Sequence, residues 1–221
     1  MLMATKKETL KSQVYRKILT MILQNDFEAD SLIVESQLTK MFNVSRAPVR
    51  EALIELCQEN ILKNIPRAGY QVVRISEKDM RDALYMRLII ELEGLKLAFP
   101  RLTKENIREL KEVAIESDKV RASQDAGETL DRKMQLNDKF HLRLNELSGN
   151  LLMARMLKET MQLVRRGVTQ TMIREYSMEL PVSTFHSGLV KALEKGDLDS
   201  AVENLRNDIL SFEQDIKNLI T

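Results

Sequence analysis

The sequence predicts a mainly α-helical protein in two parts. Three helices and a β-hairpin fill the N-terminal third, and an antiparallel all-α bundle of six or seven helices follows. Three observations carry this expectation. Apolar residues recur at three- and four-residue spacing along most of the chain. One stretch, "ILKNIPRAGYQVVRI", alternates with a period of two around a Pro…Gly turn. Breakers are few, with 7 Gly and 4 Pro in 221 residues.

The elements follow in order. Val14, Ile18, Leu19 and Ile22 share one face of a helix expected over 10–27, which "NDFEAD" ends. A short helix is expected over 35–42. The "NVS" turn follows, with Ser45 in place to cap the next helix. Pro48 falls in that helix's first turn, where its missing N–H has no partner to lose. The helix runs to about Asn60 and the hairpin comes next. The domain boundary is expected near Ile75–Glu77, giving parts 1–76 and 77–221. Beyond it, only Pro100 and Pro181 interrupt helices expected over 77–99, 103–122, 127–147, 151–175, 183–195 and 198–219. The last spaces Leu198, Val202, Leu205, Ile209, Phe212, Ile216 and Leu219 as a one-sided stripe.

Composition narrows the class. Hydrophobic residues make up 43% and charged residues 30%, which suits a soluble helical protein. A single cysteine, Cys57, excludes an internal disulfide, fits a reducing compartment and is expected in core packing. The N-terminus turns polar after three residues, and no apolar run approaches the ~20 residues of a membrane span. A cytoplasmic protein with no membrane partner is expected. Net charge is +1, with 11 Lys and Arg against 8 Asp and Glu in residues 1–75. That permits a basic face there without requiring one.

Three helices and a hairpin in this order form a winged helix-turn-helix. The second helix of a helix-turn-helix enters the major groove of DNA with its N-terminal residues at the base edges. In "VSRAPVREALIEL", Arg46 and Arg50 lie one turn apart at that end, while Val49, Leu53 and Leu56 point to the core. An arginine can present two N–H groups to O6 and N7 of guanine. Ser45 and Ala47 are small enough to let a duplex approach, and free N–H groups at the helix start attract phosphate. Arg67 and Gly69 sit at the hairpin turn, where a wing would reach a minor groove. The alternative for the two arginines is a surface ion pair with Glu51 or Glu55. For Gly69 it is turn chemistry alone.

"VSRAPVREAL" followed by "PRAGYQV" resembles the GntR family of bacterial transcriptional regulators, over about residues 10–76. The resemblance implies operator contacts at Arg46, Arg50 and Gly69, with Ser45, Ala47 and Pro48 in the small-residue slots beside them. The remainder resembles the FadR-type branch with an FCD effector domain. The matching segments are "LYMRLIIELEGLKLA", "NDKFHLRLNELSGN" and "FHSGLVKALEKGDLDSAVENLRNDI". That likeness implies a helical bundle around a cavity that holds a divalent metal, a small carboxylate, or both. Arg87 and Glu91 occupy characteristic positions of its first helix.

Family members with the full ligand set carry one Asp and three His. The matching positions here are Asn137, His141, His186 and Asp208. Asparagine is a weaker, neutral ligand, and the last histidine has become aspartate. The carboxylate has either moved between helices, or Asp138 turns inward near His141, or the groups hydrogen-bond one another without metal. His and Asp facing one cavity suit Zn²⁺, Mn²⁺ or Ni²⁺. Arg87 either grips an effector carboxylate with a two-pronged fork or pairs with Glu91 one turn away. Asn150 is expected to cap a helix. At least one of Arg165 and Arg166 is expected to be solvated.

The expected function is a homodimeric, ligand-responsive repressor of operator DNA, with a small organic or sugar acid as effector. Two rivals remain at this point. One is a metal-dependent hydrolase built on His141, His186 and Asp208, for which no general base is evident. The other is a non-specific architectural DNA binder, which the near-neutral charge disfavours.

Overall fold

The computed structural model of the chain describes residues 9–122, 130–175 and 185–220. It divides between Ile75 and Ser76 into two compact units. In the first unit, helix α1 (Leu10–Leu23) starts where Thr9 Oγ1 accepts the Ser12 N–H at 3.1 Å. It buries Val14, Ile18, Leu19 and Ile22. It stops four residues short of the expected end, and Asn25 beyond it takes a left-handed conformation with φ of 60°. Helices α2 (Glu35–Phe42) and α3 (Arg46–Gln58) flank a turn that Asn43 closes in the same conformation. Ser45 has the extended backbone of a cap, but its side chain makes no capping hydrogen bond. The expected hydroxyl cap is therefore corrected, and that hydroxyl stays exposed.

The hairpin is present as β2 (Leu62–Ile65) and β3 (Gly69–Val72), paired Leu62 to Val72 and Ile65 to Gly69. A strand that the sequence did not suggest, β1 (Leu32–Ile33), adds to the far side of β3, so the sheet order is β1-β3-β2. The core of this unit joins Ile18, Leu38, Val49, Leu53, Leu56, Ile33 and Val72, and half-buried Cys57 packs against it. Burial pushes the Cys57 thiol pKa up.

Strand β1 explains the glycine in the turn. Gly69 has φ of +133°, and a Cβ there would stand 2.6 Å from the Ile33 carbonyl oxygen. The fold thus demands glycine at 69 whether or not a ligand touches it. Gly69→Ala is expected to cost about 1–3 kcal/mol, the scale of forced backbone strain. Thermal denaturation followed by circular dichroism measures this, and an unchanged midpoint would contradict it.

In the second unit, α4 (Glu77–Ala98) opens with a reciprocal cap. Ser76 Oγ accepts the Asp79 N–H at 3.1 Å, and Asp79 Oδ2 accepts the Ser76 N–H at 2.9 Å. A single 3-10 turn (Phe99–Arg101) leads to α5 (Lys104–Ala122), followed by α6 (Leu130–Glu146), α7 (Leu151–Glu175), α8 (Phe185–Lys195) and α9 (Leu198–Ile220). Six α-helices therefore make up the described part of this unit. Its core joins Leu92 and Leu95 of α4, Leu110 of α5, Phe140 and Leu144 of α6, Leu189 and Leu193 of α8, and Leu205 and Ile209 of α9. The side chains of Phe212, Ile216 and Leu219 in the predicted stripe, and Pro181, lie outside the described residues.

Helices α4 and α6 meet closely at Gly94. Asn145 Nδ2 donates to the Ile90 carbonyl at 3.2 Å, and a Cβ on Gly94 would stand 2.1 Å from that nitrogen. Asn150 caps α7 as expected, its Oδ1 accepting the Met153 N–H at 3.2 Å. No described helix is long and apolar enough to cross a membrane.

Candidate DNA-reading surface and buried ligand site

Helix α3 divides into two faces. Val49, Ala52, Leu53 and Leu56 are buried against α1 and the sheet. Ser45, Arg46, Ala47 and Arg50 are exposed at its start, and Pro48 is half-buried between them. Neither arginine makes an ion pair or hydrogen bond with the described residues. Glu55, one expected partner, pairs instead with Lys11 at 3.2 Å. The two guanidinium groups are thus held on a rigid helix and face solvent. Arg67 is exposed at the hairpin turn with φ of 66°, two residues before Gly69.

The second site is interior. His141 of α6, His186 of α8 and Asp208 of α9 come together from three helices, all buried. His141 Nε2 lies 2.8 Å from Asp208 Oδ2, and His186 Nε2 lies 3.1 Å from His141 Nε2 and 3.5 Å from Asp208 Oδ2. Phe140 stacks on the His186 ring at 4.1 Å and fixes its plane. Bonds of 2.0–2.1 Å in tetrahedral geometry set ligand atoms roughly 3.3 Å apart. The observed spacing fits that requirement, so these three residues can hold a divalent ion. Asn137 lies one turn before His141 on α6 and is half-buried.

Glu91 joins this cluster to Arg87. Its Oε1 accepts Arg87 Nε at 2.7 Å, and its Oε2 lies 2.5 Å from His141 Nδ1. A carboxylate on the far nitrogen of a histidine fixes the ring's orientation and presents the other nitrogen for ligation. No local pattern points to this bridge, because Glu91 and His141 are fifty residues apart. Both Glu91 oxygens are engaged within the protein, one on Arg87 and the other on His141.

The charges order themselves. Burial lowers the pKa of His141, but Glu91 and Asp208 outweigh it and push it up to about 9. Burial raises that of Asp208, yet the two neighbouring histidines hold its carboxyl well below the usual range. Burial likewise opposes charge on Glu91, and Arg87 and His141 overcome it. The result is an alternating row of plus and minus through the interior.

Arg87 is only 3% exposed, and beyond its bond to Glu91 its terminal nitrogens make no hydrogen bond with the described residues. Asp138 points inward rather than to solvent and sits 3.5 Å from Arg165. Burial raises its pKa to about 6 despite that arginine. Arg166 is buried and the Arg165 side chain nearly so. Neither is solvated, which corrects the expectation for α7. Thr169 and Gln170 extend this buried polar face.

Comparison with known proteins agrees with both halves. The model described as "FCD domain" matches residues 82–210, and that for "Bacterial regulatory proteins, gntR family" matches residues 10–72. The chain belongs to the GntR family of bacterial transcriptional regulators, in the branch with an FCD effector domain. It is 29% identical over 210 residues to an uncharacterized HTH-type regulator, YdhC, of Bacillus subtilis, covering 94% of this chain and 89% of that one. It is 22% identical to the HTH-type transcriptional repressor RspR of Escherichia coli, covering 96% and 91%. The solved structure of E. coli McbR/YncC superposes with a TM-score of 0.80 at 20% identity, over 96% of this chain and 98% of that one, a likeness of fold. The family and these relatives are transcriptional regulators, so the hydrolase reading is set aside.

Proposed function

We propose that this protein is a cytoplasmic, dimeric, effector-responsive repressor. Its two copies of α3 read an operator with two-fold symmetry. The observation that carries this reading is the pair Arg46 and Arg50, exposed at the start of a helix whose back is locked into the core. Nothing within the described chain neutralises them, so they are free to meet guanine edges. Ser45, Ala47 and Pro48 keep the approach open, and Arg67 and the Gly69 backbone reach the flanking groove. One recognition helix covers only a few base pairs, whereas two on a dyad reach half-sites about one helical turn apart. Repression is the mode named for the relative RspR.

The effector half of the reading rests on Arg87. A buried guanidinium with terminal N–H groups left over is a two-pronged donor for a small carboxylate. His141, His186 and Asp208 would hold a divalent metal beside it, with Asn137 available from the same helix as His141. Such an ion would supply an additional positive centre for an acid's oxygens. Zn²⁺, Mn²⁺ and Ni²⁺ all accept this donor set. The acid shifts the regulator only as far as it prefers one arrangement of the molecule over another.

Elemental analysis and native mass spectrometry of protein purified without chelator test this reading together. The expected result is a dimer with about one divalent metal per chain. A metal-free monomer would contradict it. His186→Ala should abolish stoichiometric metal, because it removes one of three ligands from different helices. Unchanged metal content in that variant would take His186 out of the site.

A further inference from the structure

We propose that the solvent-facing side of α4 is the surface on which a second copy of this chain docks, antiparallel and centred on Ile89. This inference rests on the dimeric reading above and assigns it a surface. The outer face of α4 runs through Lys78, Asp82, Tyr85, Ile89, Glu93 and Lys96, all exposed and in line at helical spacing. Its middle is apolar: Tyr85 is 66% exposed and Ile89 44%, with Met86 beside them. The opposite face of the same helix is fully committed to the interior through Leu84, Arg87, Glu91 and Leu95. Large apolar side chains clustered on one exposed helix face, rimmed by charge, mark an association surface.

The charge pattern chooses the occupant. A two-fold axis through Ile89 pairs each residue with the one equally far on the other side. Asp82 and Lys96 lie seven residues before and after Ile89, so almost two full turns separate each from the centre on the same face. Antiparallel docking then places Asp82 opposite the partner's Lys96, and Lys96 opposite the partner's Asp82. Tyr85 falls opposite the partner's Glu93, a hydroxyl donor against a carboxylate. Ile89 meets the partner's Ile89 on the axis. Parallel docking would instead set Asp82 against Asp82 and Lys96 against Lys96. The intrachain pairs Lys78–Asp82 at 2.5 Å and Glu93–Lys96 at 2.6 Å keep these side chains on the face. They leave both charges exposed to a partner.

Sedimentation velocity of the full chain across micromolar concentrations tests the surface, with circular dichroism confirming that each variant is folded. The wild type is expected to be dimeric. Asp82→Lys and Lys96→Asp alone should each weaken dimerisation at least tenfold, since symmetry repeats each like-charge clash twice. The double variant Asp82→Lys/Lys96→Asp should restore it. Ile89→Glu should give monomer. Dimers that resist both Ile89→Glu and Asp82→Lys would place the interface elsewhere, overturning the surface but not the dimer. A monomeric wild type would overturn the dimer reading itself. Monomer from Ile89→Glu without rescue by the charge swap would overturn the antiparallel register.

Discussion

Arg50→Ala will weaken binding to the specific operator by about 1–3 kcal/mol while leaving affinity for random DNA almost unchanged. The physical reason is the separation of faces on α3. Val49 and Leu53, on either side of Arg50 in sequence, are fully buried, so the helix cannot rotate to replace the lost contact. Arg50 makes no hydrogen bond or ion pair within the described chain, so its removal should not perturb stability. Truncation therefore reads the DNA contact and little else. Fluorescence anisotropy on operator and scrambled duplexes, at fixed salt, measures both affinities. Equal loss on both would make Arg50 a phosphate contact. Arg46→Ala should behave alike, at a different base pair, because Arg46 lies one turn nearer the helix start.

Glu91→Ala will destabilise the helical unit by about 3–5 kcal/mol, the cost of leaving one buried charge without its partner. Glu91 touches two cationic groups at once, Arg87 and His141, and neither can reach solvent. For a unit of this size the midpoint of thermal unfolding should fall by roughly 10 °C. Adding Arg87→Met removes the stranded guanidinium and should recover a large part of the loss, as a double-mutant cycle will show. Additive losses in that cycle would mean that Arg87 and Glu91 do not act as a pair. The same substitution frees the His141 ring, so metal retention should fall in Glu91→Ala even in the folded fraction.

Much of the fold was legible because helices announce themselves locally. The apolar periods of α1 and α3 are written within single segments. The end of α1 was less so, since a left-handed Asn25 competes with an apolar pattern that continues to Phe27. Strand β1 was invisible for a different reason. Two residues are too few to show alternation, and Leu32–Ile33 become a strand only through β3, almost forty residues away.

At the buried site, the residue types were readable and their wiring was not. His141, His186 and Asp208 stood out because they fall on apolar faces, where a polar group needs a partner. That Glu91 spans Arg87 and His141 depends on how α4 lies against α6, and no spacing encodes it. Arg165 and Arg166 misled for a related reason. Adjacent arginines point 100° apart on a helix, which suggests one inside and one out, yet α7 is covered on both sides there.

The central claim is that α3 reads guanine edges in the major groove on either side of a dyad. Methylation interference on duplexes selected from a random pool by the full-length protein tests it most directly. Methyl groups on guanine N7 should block binding at two symmetric positions about one helical turn apart, and Arg50→Ala should erase the block at one guanine in each half-site. Binding that tolerates N7 methylation throughout, or a pattern that Arg46→Ala and Arg50→Ala both leave intact, would contradict it.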